Sequence, residues 1–111
     1  MKQILKDIPR TIKTPGNGRK ALFAVLKCLA IHFPDVGYVQ GMSYLAATLM
    51  KYTTPENSFF IMISLFDDYG VKEQFLPGMM GANKNFYVLL CLQKKYLPAI
   101  YRKFSEEGFL P

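Results

Sequence analysis

The stretch RKALFAVLKCLAIHF, residues 19–33, decides the fold. Ala21, Leu22, Phe23, Val25, Leu26, Leu29, Ala30 and Ile31 leave only Lys27 and His32 polar after the first turn. A helix of this sequence is apolar on most sides and belongs in a core. Cys28 lies inside it and Cys91 inside a later apolar run, and both read as packed thiols. With no CxxC spacing and one His in the chain, zinc and a disulfide framework are not expected.

On the N-terminal side, Thr14-Pro15-Gly16-Asn17-Gly18 has turn chemistry and no helical period, which predicts a loop over residues 11–18. Residues 1–7 read as the end of a helix, because Pro9 disfavours helical geometry at Ile8. Arg10 is then expected in irregular chain, off any helix shared with Asp7, presented and not packed. On the C-terminal side, Phe33-Pro34-Asp35-Val36-Gly37 closes the central helix. A second helix is predicted from residue 40 or 41 to 52. Thr53-Thr54-Pro55-Glu56 starts a third, over residues 55–68, in one of two registers: Thr54 as N-cap with Pro55 at the first helical position, or Thr53 and Glu56 as a capping box. One helical turn is expected near residues 72–76, then loop. A fourth helix spans residues 83–104, kinked or divided by Pro98. No segment alternates at period two for long enough to make a sheet, so the class is all-α, a helical bundle.

The chain has 111 residues, half of them hydrophobic and 20% charged, which excludes a two-domain enzyme and a disordered chain. No apolar run reaches about 18 residues, so no membrane span is expected. Lys2 and Lys6 are followed by no apolar signal core, which points to a cytoplasmic address. Residues 1–20 hold Lys2, Lys6, Arg10, Lys13, Arg19 and Lys20 against Asp7 alone. Such a basic edge suits an acidic partner surface, an anionic lipid face or a phosphate-bearing ligand, with a solvated charged face as the alternative.

Chemistry of the chain's own is poorly supported. Asp67-Asp68 and Glu106-Glu107 are sequence neighbours that diverge on a helix, His32 has no nucleophile beside it, and Gly16-Asn17-Gly18-Arg19-Lys20 lacks the phosphate-loop frame. Two segments stand apart. One is Ile4-Leu5-Lys6-Asp7-Ile8-Pro9-Arg10-Thr11. The other is Val36-Gly37-Tyr38-Val39-Gln40-Gly41-Met42, a glycine-flanked turn that sets the uncharged donor and acceptor Gln40 at a helix start, where a capping role is the plainer reading.

Together these segments resemble the TBC domain, the GTPase-activating domain for Rab-type small GTPases, whose signatures are IxxDxxR and YxQ. Ile4, Asp7 and Arg10 match the first; Tyr38 and Gln40, flanked by Gly37 and Gly41, match the second. Family domains run to roughly 200 residues. The resemblance therefore implies that residues 1–111 are a partial, all-helical TBC domain, truncated at the N-terminal helices and the C-terminal half. The absence of Trp agrees with a missing tryptophan-bearing block.

The resemblance implies an activator that supplies catalytic side chains in trans and is not itself an enzyme. Arg10 would be the arginine finger and Gln40 the glutamine finger. Asp7 would fix the approach of the arginine segment and Tyr38 would hold the Gln40 turn, with turn capping and core packing as the alternatives. No cofactor of its own is implied; GTP and Mg2+ come with the Rab partner. A cytoplasmic protein recruited peripherally to endomembranes is expected, with no specific nucleic acid. Two other readings stand beside it: a catalytically inactive Rab-binding or scaffolding piece, and a basic helical module for anionic lipid or nucleic acid. Dual-finger chemistry requires the two side chains on one open face. The central helix is about 22 Å long, and the loop 11–18 would have to run back along it to achieve this.

Overall fold

A computed structural model describes residues 1–110. Its elements are α1 (Lys2–Thr11), α2 (Asn17–His32), α3 (Met42–Leu49), α4 (Pro55–Asp67), a 3-10 turn (Val71–Gln74), α5 (Met80–Tyr96) and α6 (Pro98–Glu106). Among the described residues there is no strand, and the all-α expectation holds.

The central stretch does become the core helix. Leu22, Val25, Leu26 and Leu29 of α2 are buried among Ile4 and Ile8 of α1, Met42 and Ala46 of α3, and Met62 and Phe66 of α4. Phe33, just past α2, lies 5.0 Å from Phe66 between ring centroids, and Phe66 stacks on Phe75 at 5.6 Å. Aromatic burial thus joins the ends of α2 and α4 to the turn that follows. Thr54 caps α4, its hydroxyl accepting from Asn57 N–H at 3.2 Å with Pro55 at the first helical position. This selects the first of the two start registers.

Three expectations are corrected. Pro9 does not end α1, which continues through Arg10 and Thr11. Proline removes one helical donor, but Ile12 N–H still reaches Ile8 O at 2.9 Å, and the buried Ile4, Asp7 and Ile8 hold the helix in place. The loop is shorter than expected, residues 12–16, because α2 begins at Asn17. Arg19 clamps this loop, its guanidinium donating to Ile12 O at 2.8 Å and to Lys13 O. Neither Cys28 nor Cys91 is packed; both are exposed. Of the two outcomes expected at Pro98, division is the one observed, with the break at Leu97.

The hairpin of α5 and α6 stands apart from the bundle. Only Gly81 of α5 and no residue of α6 is buried, and Phe86, Leu89, Leu92, Tyr96 and Ile100 face solvent. Phe86 and Leu89, with Leu90, Phe104 and Phe109, line an open groove of about 510 Å3.

Candidate functional site

Antiparallel packing of α1 on α2 places the site. Ile8 and Pro9 share a groove with Arg19, Lys20 and Phe23 near the start of α2. Met1 and Ile4 share another with Lys27, Ala30 and Ile31 near its end. The chain leaving α2 therefore meets α1 near its N-terminal half and runs along it toward Thr11.

Two hydrogen bonds fix this course. Tyr38 Oη donates to Asp7 Oδ2 at 2.7 Å, and the Thr11 and Ser43 hydroxyls lie 2.8 Å apart. Arg10 lies between the two α1 anchors, and Gln40 between the two anchors of the returning segment. The convergence that a long loop was expected to produce comes from the segment 38–43 lying along α1.

Asp7 is the hub. It is 3% exposed, yet its carboxylate also accepts from Gln3 Nε2 at 3.1 Å and lies 3.5 Å from an Arg10 terminal nitrogen. The helical Asp7–Arg10 pair that Pro9 was expected to exclude is thus present. It is a loose pair: the Arg10 side chain is 59% exposed, and its Nε reaches Lys6 O only at 3.4 Å. Burial first, and then the Asp7 carboxylate, push the Tyr38 phenol up to about 12, so it remains a proton donor at neutral pH.

The turn bearing Gln40 is built by its glycines. Gly37 and Gly41 have φ of +63° and +104°, left-handed values that other residues adopt only at a cost. Between them Val39 N–H donates to the sulfur of buried Met42 at 3.3 Å, and Met42 N–H returns to Val39 O at 3.1 Å. Gln40 is exposed on this turn. It does not cap α3: Gly41 holds the N-cap position and no side chain bonds there.

The structure thus gathers Asp7, Arg10, Gly37, Tyr38, Gln40 and Gly41 on one side of the bundle, with Ile4 beneath them in the core. Sequence reasoning passed over Gln3, Thr11 and Ser43. Gln3 could have been found from its i,i+4 spacing to Asp7; Ser43 carries no comparable signal. Among the described residues no group of three His, Cys, Asp or Glu side chains is placed to hold a metal ion, and no helix is long and apolar enough to cross a membrane. An exposed, permanently charged guanidinium and an exposed carboxamide, carried on two tethered segments of packed backbone, can donate to an anion and orient a water.

Comparison with known proteins bears on this arrangement. The profile of the Rab-GTPase-TBC domain matches residues 1–111. The GTPase-activating protein GYP5 of Saccharomyces cerevisiae is 35% identical over 106 residues, covering 95% of this chain and 12% of that protein. The Rab GTPase-activating protein eat-17 of Caenorhabditis elegans is 32% identical over 114 residues, covering 97% of this chain and 13% of that protein. GYP5 of Eremothecium gossypii is 37% identical over 108 residues, covering 96% and 13% respectively. The chain spans about an eighth of the length of these relatives.

Proposed function

The chain belongs to the Rab-GTPase-TBC domain family, and from that premise we propose that it accelerates GTP hydrolysis by a Rab-type small GTPase, with Arg10 and Gln40 as the two side chains inserted in trans. The observation that carries this reading is the double tether, Tyr38 to Asp7 and Thr11 to Ser43, which brackets both residues while leaving them exposed.

Slow intrinsic hydrolysis has two causes: charge building on the transferring phosphoryl group lacks a donor, and the attacking water lacks a fixed orientation. Arg10 answers the first. Its planar fork stays charged and offers several donors to the phosphoryl oxygens. The loose contact with Asp7 costs little to break, and the buried carboxylate keeps its Gln3 and Tyr38 donors when Arg10 swings out. Gln40 answers the second, because one amide both accepts from and donates to a water without offsetting the arginine's charge. Asp7 and Tyr38 are positioning residues. The protein uses no metal or cofactor of its own; GTP and Mg2+ arrive with the partner, and the protein acts in the cytoplasm at endomembranes.

Single-turnover phosphate release from a panel of GTP-loaded Rab proteins tests the reading. Arg10→Ala should lower the stimulated rate by roughly 10³- to 10⁵-fold, and Arg10→Lys should recover little of it. Gln40→Ala should lower it separately. Full activity in Arg10→Ala would refute the assignment. A second reading has one observation in its favour: the guanidinium is drawn to Asp7 in the free protein. A Rab-binding or scaffolding module without catalysis would give binding to GTP-loaded Rab and no added phosphate release.

A further inference from the structure

The paired outer faces of α1 and α2 form a basic surface that borders the proposed GTPase site on α1. Residues 1–34 contain seven Lys or Arg and a single acid, Asp7, so the whole formal charge of +6 resides in them and the remainder is neutral. Asp7 is buried and engaged by Gln3, Tyr38 and Arg10, so neither α1 nor α2 presents an exposed carboxylate of its own; Glu56 of α4 shares a groove with Ala24, Val25 and Cys28 of α2. Lys2 and Lys6 on α1 and Lys20 and Lys27 on α2 are all exposed. Between them stand two large apolar side chains, Leu5 at 61% and Ile31 at 70% exposed. The sixteen residues of α2 make this face about 24 Å long.

We infer that this α1–α2 face is a docking surface for an anionic lipid membrane, with the four lysines among headgroups and Leu5 and Ile31 entering the headgroup boundary. The inference stands independently of the GTPase-activating role. Three features favour a membrane over another polyanion. The free cations of this face are lysines, compact point charges suited to a diffuse negative surface, and the guanidinium of Arg19 is engaged by two loop carbonyls. Leu5 and Ile31 project singly from a broad face, as interfacial anchors do, and each lines a groove open to solvent. The aromatic residues of these grooves, Phe23 and Tyr38, are both half-buried, and the Tyr38 hydroxyl is bonded to Asp7, so the face lacks the stacking platform that single-stranded nucleic acid requires.

Each lysine near such a surface contributes roughly fivefold to partitioning. The test is flotation of the chain with phosphatidylcholine vesicles containing 30% phosphatidylserine, about 0.1 M salt, against pure phosphatidylcholine. Lys20→Glu/Lys27→Glu lies on α2, away from Arg10 and Gln40, and should lower partitioning by at least about 25-fold, with its thermal unfolding and any Rab-stimulated phosphate release in solution unchanged. Ile31→Ser should weaken partitioning with the charge intact, and about 0.5 M salt should release the wild type. Equal binding to both vesicle types, or an unaltered double variant, would overturn the inference. So would tighter capture by polyglutamate, marking an acidic polypeptide as the partner, or by single-stranded RNA. Salt-sensitive flotation of the wild-type chain with no stimulated phosphate release from any Rab protein would count against the GTPase reading alone.

Discussion

The Asp7–Tyr38 bond can be weighed by a double-mutant cycle. Tyr38→Phe removes a 2.7 Å hydrogen bond to a buried carboxylate and leaves Asp7 with Gln3 and the loose Arg10 pair. Hydrogen bonds to charged groups contribute about 1.5 to 3 kcal/mol; because Tyr38 is half-buried, the expected loss is about 2 kcal/mol. Asp7→Ala loses the Tyr38 and Gln3 bonds together and strands the phenol, a loss of about 3 kcal/mol. The double variant should lose less than the sum, leaving a coupling of about 1 to 2 kcal/mol. Urea unfolding followed by circular dichroism measures all four corners, with unchanged slopes confirming that the same surface unfolds. Gln3→Ala, on an exposed residue, should cost under about 1 kcal/mol. A coupling below about 0.3 kcal/mol would show that the bond does not hold the two motif segments together, and the tethered site would lose its physical basis.

Arg10→Ala should change unfolding free energy by less than about 1 kcal/mol, since its pair with Asp7 is long and largely in solvent; a larger loss in the same urea titration would make Arg10 a structural residue. Thr54→Ala should destabilise by about 1 kcal/mol through loss of the α4 cap, whereas Thr53→Ala should be nearly silent, and equal effects in thermal melts would contradict the capping register. Because Tyr38 ionises at about 12 when folded and near 10 when unfolded, the native state holds the proton more tightly. The resulting stability is intact below pH 10 and falls away between 10 and 12. After allowance for solvent screening it is about 1 kcal/mol, and Tyr38→Phe should abolish that slope in urea titrations across this range.

Helices α2 and α4 were legible because their signals are local: an apolar run closed by Pro34, and Thr54-Pro55 at a helix start. Pro9 misled because local rules weigh one missing donor, whereas α1 is held by Ile4 and Ile8 in the core and by Asp7's tertiary partners. Cys28 looked packed on a helix that is apolar nearly all round, but the buried line runs through Leu22, Val25, Leu26 and Leu29 and Cys28 lies off it. At the site, the residue types were readable and their joinery was not. Tyr38–Asp7 and Thr11–Ser43 are separated by 31 and 32 residues, and no periodicity relates groups so far apart. The left-handed glycines were visible as a flanking pair; what they accomplish, aligning the segment 38–43 with α1, depends on the antiparallel seating of α1 on α2.

The break at Leu97 and the thin attachment of α5 and α6 separate two quantities usually measured as one. Helices of 17 and 9 residues contribute much of the ellipticity yet almost nothing to the buried interior, so they can fray while the bundle persists. Deuterium labelling would then read two clocks in a single molecule, fast over residues 80–106 and slow over α2, and a melting curve followed by helicity alone would report a blend belonging to neither.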